Sequence, residues 1–243
     1  RLSVLRKAPS EEPGTNIFAI IRDNDLLVHH PFHDFDMSVL HFVRAAAEDP
    51  KVLAIKQTLY RTTSDSPIVH ALVRAAEQGK QVAVLVELQA RFDEHRNLQW
   101  AQVLESAGAH VSYGVEDLKT HAKLVLVVRE EGQGLKRYVH IGTGNYHSET
   151  ALMYTDIGLF TADRVLCDDV SHLFNTLTGY SRFDQYRKLL VAPKTMRRRF
   201  LELIHREIDF ARAGRPARIR AKMNQLEDPK ICLLYTSPSP RDS

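Results

Sequence analysis

Apolar runs of strand length alternate along this chain with segments of helical spacing, and that alternation restricts the fold to an α/β layer architecture. Val52–Leu59 and Gln81–Leu88, the latter with Val-Ala-Val-Leu-Val near its start, are the continuous apolar runs of buried strands. Shorter strands are expected over 16–22, 25–28, His110–Tyr113, Ala122–Val128, Arg137–Ile141 and 157–160, with Glu130–Gly134 as the turn of a hairpin. A helix over 37–48 stops before Asp49-Pro50, because the residue preceding proline avoids the α region. Ser66 and Pro67 open the next helix as N-cap and first helical residue, and Gly79 ends it. Further helices span 93–107, ending at Gly108, and 163–178, closing at Gly179. No tandem repeat of solenoid period is visible.

The 243 residues, 44% of them hydrophobic, suffice for one large domain and part of another. No apolar run approaches the roughly 20 residues of a membrane span. Two cysteines give neither a disulfide framework nor zinc-ligand spacing, which favours a cytosolic protein. The net charge of +3 hides an asymmetry: residues 187–222 hold twelve Lys or Arg against Glu202, Glu207 and Asp209, while elsewhere acidic residues outnumber basic ones, 27 to 21. That stretch suits an anionic polymer, or is the solvated surface of an Arg-rich helix followed by Ile219–Met223. It marks the beginning of a second domain. Arg1 is neither a start methionine nor the head of a signal peptide, so the chain is expected to be cut from something longer. Residues 232–243 back-translate into the transposon-end adapter of sequencing libraries read in frame, and are expected to be a scar rather than protein. The expected organisation is a linker remnant over 1–15, a main lobe over 16–185 and the start of another lobe over 186–231.

Lys119-Thr120-His121-Ala122-Lys123 carries the chemistry. His121 and Lys123 lie two apart at the head of a strand and so share one face. A nucleophile beside a fixed cation suits attack on phosphate. Gly142-Thr143-Gly144-Asn145 adds backbone N–H groups, a hydroxyl and an amide able to hold phosphate oxygens. The strands 52–59 and 81–88 are followed by Arg61 and Arg91, and ligands of open α/β sheets bind beyond strand carboxyl ends. Two planar, permanently charged arginine forks delivered there suit one anion.

H-x-K followed by G-x-G-N resembles the half-site of the phospholipase D superfamily. Four blocks narrow the resemblance to polyphosphate kinase of the first type: Asp49-Pro50 with Ala54–Arg61, Val86–Glu94, Leu118–Lys123, and Tyr138–Tyr146 with Tyr154-Thr155-Asp156. The likeness spans about 16–231. It implies a phospholipase-D-like mixed sheet flanked by helices, with the start of a second similar lobe. It implies reversible transfer of the terminal phosphate of ATP to inorganic polyphosphate, with Mg²⁺, through a phosphohistidine at His121. Lys123 and Asn145 match the half-site, Thr143 lies in its loop, and Tyr154 matches the tyrosine that contacts the nucleotide. Arg61 and Arg91 match the family's magnesium and phosphate site. A guanidinium has no lone pair for a metal, so these two are read as binding the phosphates that carry it. The resemblance further implies a homo-oligomer in the cytoplasm, at most peripheral to the inner membrane.

Two positions depart from the pattern. Val128 stands where lipid-cleaving members have Asp, which weakens a phosphodiesterase reading, and Leu152 stands where the family has Arg two residues before the nucleotide tyrosine. The resemblance places a further arginine and histidine of the active site in the second lobe, so 1–231 alone is expected to be inactive. A non-catalytic module gripping polyphosphate through Arg61, Arg91 and 187–222 is the competing reading. Nucleic acid is disfavoured because aromatic and basic residues are not interleaved. His29, His30 and His33 lack the H-E-x-x-H spacing of a metal site and read as a structural loop. Glu87 is expected either to orient a histidine or arginine or to sit in a buried ion pair. Asp156 is expected to support the polar network, His140 to face the core or the site, Trp100 to pack, and Asp93 and Glu94 to serve a helix N-terminus. No G-x-x-x-x-G-K-[ST] loop is present to hold ATP.

Overall fold

The apolar runs assemble into an eight-stranded mixed sheet of order β1-β2-β8-β7-β6-β3-β4-β5. The computed structural model describes residues 2–4, 16–60, 66–87, 94–114, 118, 120–132, 134–179, 181, 185–223 and 225–236. The chain divides into two compact units, 1–183 and 184–243. In the first, β3 (Val52–Leu59), β4 (Gln81–Val86) and β5 (His110–Tyr113) run parallel, joined by α3 (Pro67–Glu77) and α4 (Glu94–Ser106). β6 (Lys123–Glu131) and β7 (Gly134–Gly142) form an antiparallel hairpin beside β3. β8 (Asp156–Thr161) pairs antiparallel with β7 and with β2 (Asp25–His30), and β1 (Leu2–Val4) adds a parallel edge.

Helices cover both faces. α1 (Ile17–Asp23), α2 (His41–Glu48) and α3 lie on the face of Ile55, Val84, Val125, Tyr138 and Phe160, where Phe18 meets Tyr138 and Phe42 meets Phe160 at ring separations of 5.0 and 5.4 Å. α6 (Arg164–Leu177) covers the other face, over Leu126 and Val139, and its Asn175 accepts a 3.1 Å hydrogen bond from Lys56. Two-sided cover explains why β6 is buried without alternation from Lys123 to Val127.

Residues 16–22 are not a strand. Asn16 accepts the Phe18 N–H at 2.9 Å and caps α1, whose buried side chains Ile17, Phe18 and Ile21 follow helical spacing. The expected helix at 37–48 begins as a π-helical turn, Asp36–Leu40, that leads into α2. β4 stops at Val86 rather than 88, and the hairpin strand continues to Glu131. The six-residue α5 (Ser148–Met153) and the three-residue β1 are too short for a periodicity signal. His33 Nδ1 accepts the His29 N–H at 2.8 Å and His30 Nδ1 lies 2.7 Å from the His33 carbonyl, so these histidines do organise a loop.

One end of the sheet is fastened by a charged clasp. Arg129, with a side chain 10% exposed, donates to Asp49 at 2.9 Å and to Glu131 at 2.8 Å, and its guanidinium lies over the Phe18 ring. Tyr138 donates to Glu131 as well. Burial pushes the Asp49 and Glu131 carboxyls upward, but the Lys51 N–H and Arg129 at Asp49, and Tyr138, Arg129 and Arg22 at Glu131, outweigh it and hold both below their ordinary values. Depressed carboxyls stabilise the fold above their unfolded values, and that contribution is lost as pH falls through the folded ones. Acid unfolding is therefore expected to begin earlier once the clasp is cut. Arg129→Met is expected to cost about 3–5 kcal/mol in urea denaturation at neutral pH, because Asp49 and Glu131 lose the buried guanidinium they share and Glu131 keeps only the longer pair with Arg22.

In the second unit, α7 (Met196–Arg212) is the expected Arg-rich helix, whereas Ile219–Met223 forms no regular element. The five arginines of α7 each face a carboxylate. Arg197 pairs with Asp228, Arg198 and Arg199 with Glu202, Arg206 with Glu207, and Arg212 with Asp209. α8 (Pro229–Thr236) follows.

Candidate active site

Strand direction gathers the polar residues at the opposite end of the sheet from the clasp. The carboxyl ends of β2, β3, β4 and β7 and the amino ends of β6 and β8 meet along one edge. Lys123 stands opposite Gly142, Gly142 opposite Gly158, and His30 opposite Asp156. The loop from Thr143 to Asn145 thus leaves β7 beside Lys123.

His121 and Lys123 have different surroundings despite their spacing. Residues 120–122 precede the strand and belong to no ladder. The His121 side chain is exposed, and its ring meets Tyr60 edge-on at 5.5 Å. Lys123 is only 4% exposed, donates to the His121 carbonyl at 2.6 Å and lies 5.2 Å from the centre of the Tyr60 ring. A cation is thereby held at the backbone carbonyl of the histidine. The backbone on either side of His121 is tied by side chains on β3 and just past β4: Thr120 N–H donates to Glu87, while Thr58 donates to the Ala122 carbonyl and accepts from Leu124 N–H.

The glycine loop is clamped to β8. The Thr143 hydroxyl donates to Asp156 at 2.7 Å and accepts from Ile157 N–H at 3.0 Å, and Thr143 N–H donates to the Ile157 carbonyl. Its hydroxyl proton and N–H are therefore already committed within the loop. A Cβ on Gly144 would lie 2.5 Å from the Asp156 carboxylate, so only glycine lets the backbone approach there. Asn145 Oδ1 is buried without a hydrogen-bond partner among the described residues, a costly arrangement that a donor from a ligand or water would relieve.

Behind the loop, the fully buried His140 lies between Tyr146 and Phe160, with Nδ1 3.0 Å from the Tyr146 hydroxyl. Burial, then the nearby His30, pushes its pKa down to about 3, so it is neutral at physiological pH. Its ring fills the space left by a missing side chain: a Cβ on Gly158 would fall 2.5 Å from His140 Nε2 and 2.9 Å from Val28. Gly158→Ala is expected to cost about 1–3 kcal/mol through overpacking, checked by urea denaturation against the parent chain.

Tyr154 lies at the same edge, half a turn before β8, and is exposed together with Leu152 and Met153. Arg61, Arg91, Asp93 and Lys119 lie outside the described residues. Sequence reading singled out neither Thr58 nor Tyr60, since each gains its role only through pairing with a distant strand. Among the described residues, no group of three His, Cys, Asp or Glu side chains is placed to hold a metal ion.

The sequence of this edge matches known proteins. The family model described as polyphosphate kinase C-terminal domain 1 matches residues 16–183, and that of C-terminal domain 2 matches 189–238. The chain belongs to the polyphosphate kinase family. A polyphosphate kinase from Thermosynechococcus vestitus is 60% identical over 221 residues, which cover 91% of this chain and 30% of the relative. One from Streptomyces coelicolor is 57% identical, covering 89% of this chain and 29% of the relative. The crystal structure of polyphosphate kinase from Porphyromonas gingivalis superposes with a TM-score of 0.81 at 34% identity, over 94% of this chain and 38% of that one. A phospholipase D family member, Nuc from Salmonella typhimurium, aligns with a TM-score of 0.49 at 15% identity. The chain spans about 30% of the length of the curated relatives it matches. No helix among the described residues is long and apolar enough to cross a membrane.

Proposed function

We propose that residues 16–183 are the lobe of a polyphosphate kinase that carries the nucleophile, and that His121 takes the terminal phosphate of ATP and passes it to inorganic polyphosphate. The observation that carries this reading is an exposed imidazole whose own backbone carbonyl receives a buried lysine. In the first step a ring nitrogen of His121 donates its lone pair to the γ-phosphorus, and the bond to the bridging oxygen breaks with its electrons leaving on ADP. In the second, a terminal oxygen of polyphosphate attacks the phosphohistidine and the N–P bond breaks, restoring the imidazole. Two moderate barriers replace one high one.

Lys123 neutralises charge gathering on the transferring oxygens, and its preset position removes reorganisation at the moment of reaction. Asn145 binds an oxygen-bearing donor or water at the same edge, while Thr143 holds the loop in register. Tyr154 offers an exposed ring to the nucleotide base. Arg61 and Arg91, which follow β3 and β4, bind phosphate. Magnesium enters with the nucleotide's phosphates and is part of the substrate. Completion by sequence beyond this chain and assembly as a homo-oligomer in the cytoplasm belong to the same proposal.

The test sets residues 16–231 into the matching frame of a full-length relative and measures ATP-dependent polyphosphate formation. Formation at the relative's own rate is expected. Polyphosphate binding without formation would favour the anion-binding module. Arg61→Ala and Arg91→Ala in that chimera are each expected to slow transfer by about 3–4 kcal/mol at most. Unchanged kcat/KM in both would remove these arginines from the site.

A further inference from the structure

Residues 120–122 carry the nucleophile yet lie outside every strand, so no ladder fixes them. Side chains do so instead: Lys123 holds the His121 carbonyl itself, and two others hold its neighbours. Glu87, just past the end of β4 and 2% exposed, accepts the Thr120 N–H at 2.6 Å. Thr58, 3% exposed on β3, donates to the Ala122 carbonyl at 2.8 Å and accepts the Leu124 N–H at 3.0 Å. The residues immediately before and after His121 are thereby tied to β3 and to the residue that follows β4. Glu87 is itself fixed, since its N–H donates to the Leu59 carbonyl at 2.9 Å.

We propose that Glu87 and Thr58 are positioning residues that hold the His121 backbone from both sides so that its imidazole meets the γ-phosphate in line. This rests on the reading of His121 as nucleophile and extends it to residues that do not touch substrate. A carboxylate is costly to bury without partners, and a short charge-assisted bond to a backbone N–H is among the strongest a side chain makes. The pair is also placed for precision. A threonine hydroxyl that both gives and receives fixes the rotation of the Ala122–Leu124 segment, and the carboxylate fixes the chain's approach from the other side. The ring is left exposed, in contact with Tyr60. Misplacing a reacting group by about 1 Å costs on the order of 100-fold in rate.

The experiment uses the full-length chimera carrying residues 16–231 and follows single-turnover transfer of label from γ-labelled ATP to the protein, with ATP affinity measured separately. Thr58→Val keeps the side chain's shape and removes both bonds. It is expected to slow labelling by about 30-fold or more with ATP affinity within about threefold of the parent. Glu87→Ala is expected to slow labelling by about 100-fold. Glu87→Gln retains an oxygen for the Thr120 N–H and is expected to recover most of that loss. Where Glu87→Ala also lowers the melting temperature, Thr58→Val reads the anchor on its own. Labelling within threefold of the parent in both Thr58→Val and Glu87→Ala overturns the proposal, as does a loss expressed in ATP affinity rather than in rate. A parent chimera that takes no label at position 121 overturns the nucleophile reading, and this one with it. The two failures are told apart by whether the parent is labelled.

Discussion

His121→Ala is expected to abolish phosphate transfer and to leave the fold intact. The side chain is exposed and outside the core, so its removal leaves no buried cavity. In the proposed mechanism the lost atom is the one that forms the N–P bond, and deletion of a covalent nucleophile costs on the order of 10⁴-fold or more in kcat. The chimera assay reads this directly, with a urea melt of the variant superposing on that of the parent as the check on folding. Turnover by His121→Ala within tenfold of the parent would dismiss the nucleophile assignment.

Lys123→Met comes next in size. The ammonium is buried, and its hydrogen bond to the His121 carbonyl and its place over the Tyr60 ring fix it at the backbone of the histidine. Methionine keeps most of the length and apolar volume while removing the charge. Loss of one preorganised charge donor is expected to lower kcat by about 10²–10³-fold, with KM for ATP changed far less. An equal loss in binding and rate would make Lys123 a ground-state ligand only, and no loss would make it structural. Lys123→Arg is not expected to rescue, because the planar guanidinium cannot occupy the ammonium's place between the His121 carbonyl and the tyrosine face.

Much of this site is legible in the chain itself, for reasons that particular residues make plain. The H-x-K spacing sets His121 just ahead of the strand that Lys123 opens, rather than on it as the alternation implied, and the glycine loop falls beside Lys123 because β6 and β7 form a hairpin with unbroken register. What spacing cannot convey is burial: Lys123 is sequestered while His121, two residues away, faces solvent, because the strand begins between them. Thr58 is silent in the sequence, and Glu87 stands out there without revealing its partner, the Thr120 N–H, since the partners lie 64–66 and 33 residues away and depend on which strands become neighbours. Thr143 looks like a phosphate ligand in isolation, but Asp156 and Ile157, brought alongside by β8, engage its hydroxyl and N–H. The strand expected at 16–22 fails for a local reason. Its apolar run is compatible with either period, and the Asn16 cap decides for the helix.

The basic count of 187–222 illustrates the same limit for charge. A sum over sequence treats every arginine as free to meet a polyanion, whereas those at 197, 198, 199, 206 and 212 face carboxylates within 4 Å. Five of the twelve cations are thus partly neutralised, and the stretch offers a polyanion less charge than its composition implies.

The most direct measurement is covalent. The full-length chimera carrying residues 16–231 is incubated with γ-labelled ATP and Mg²⁺, denatured, and the label tested for stability. The account predicts label that survives base and is lost in acid, as a phosphoramidate bond requires, mapped to the peptide containing His121 and missing from His121→Ala. A folded chimera that binds polyphosphate and takes no such label, or takes it undiminished in His121→Ala, would contradict the account.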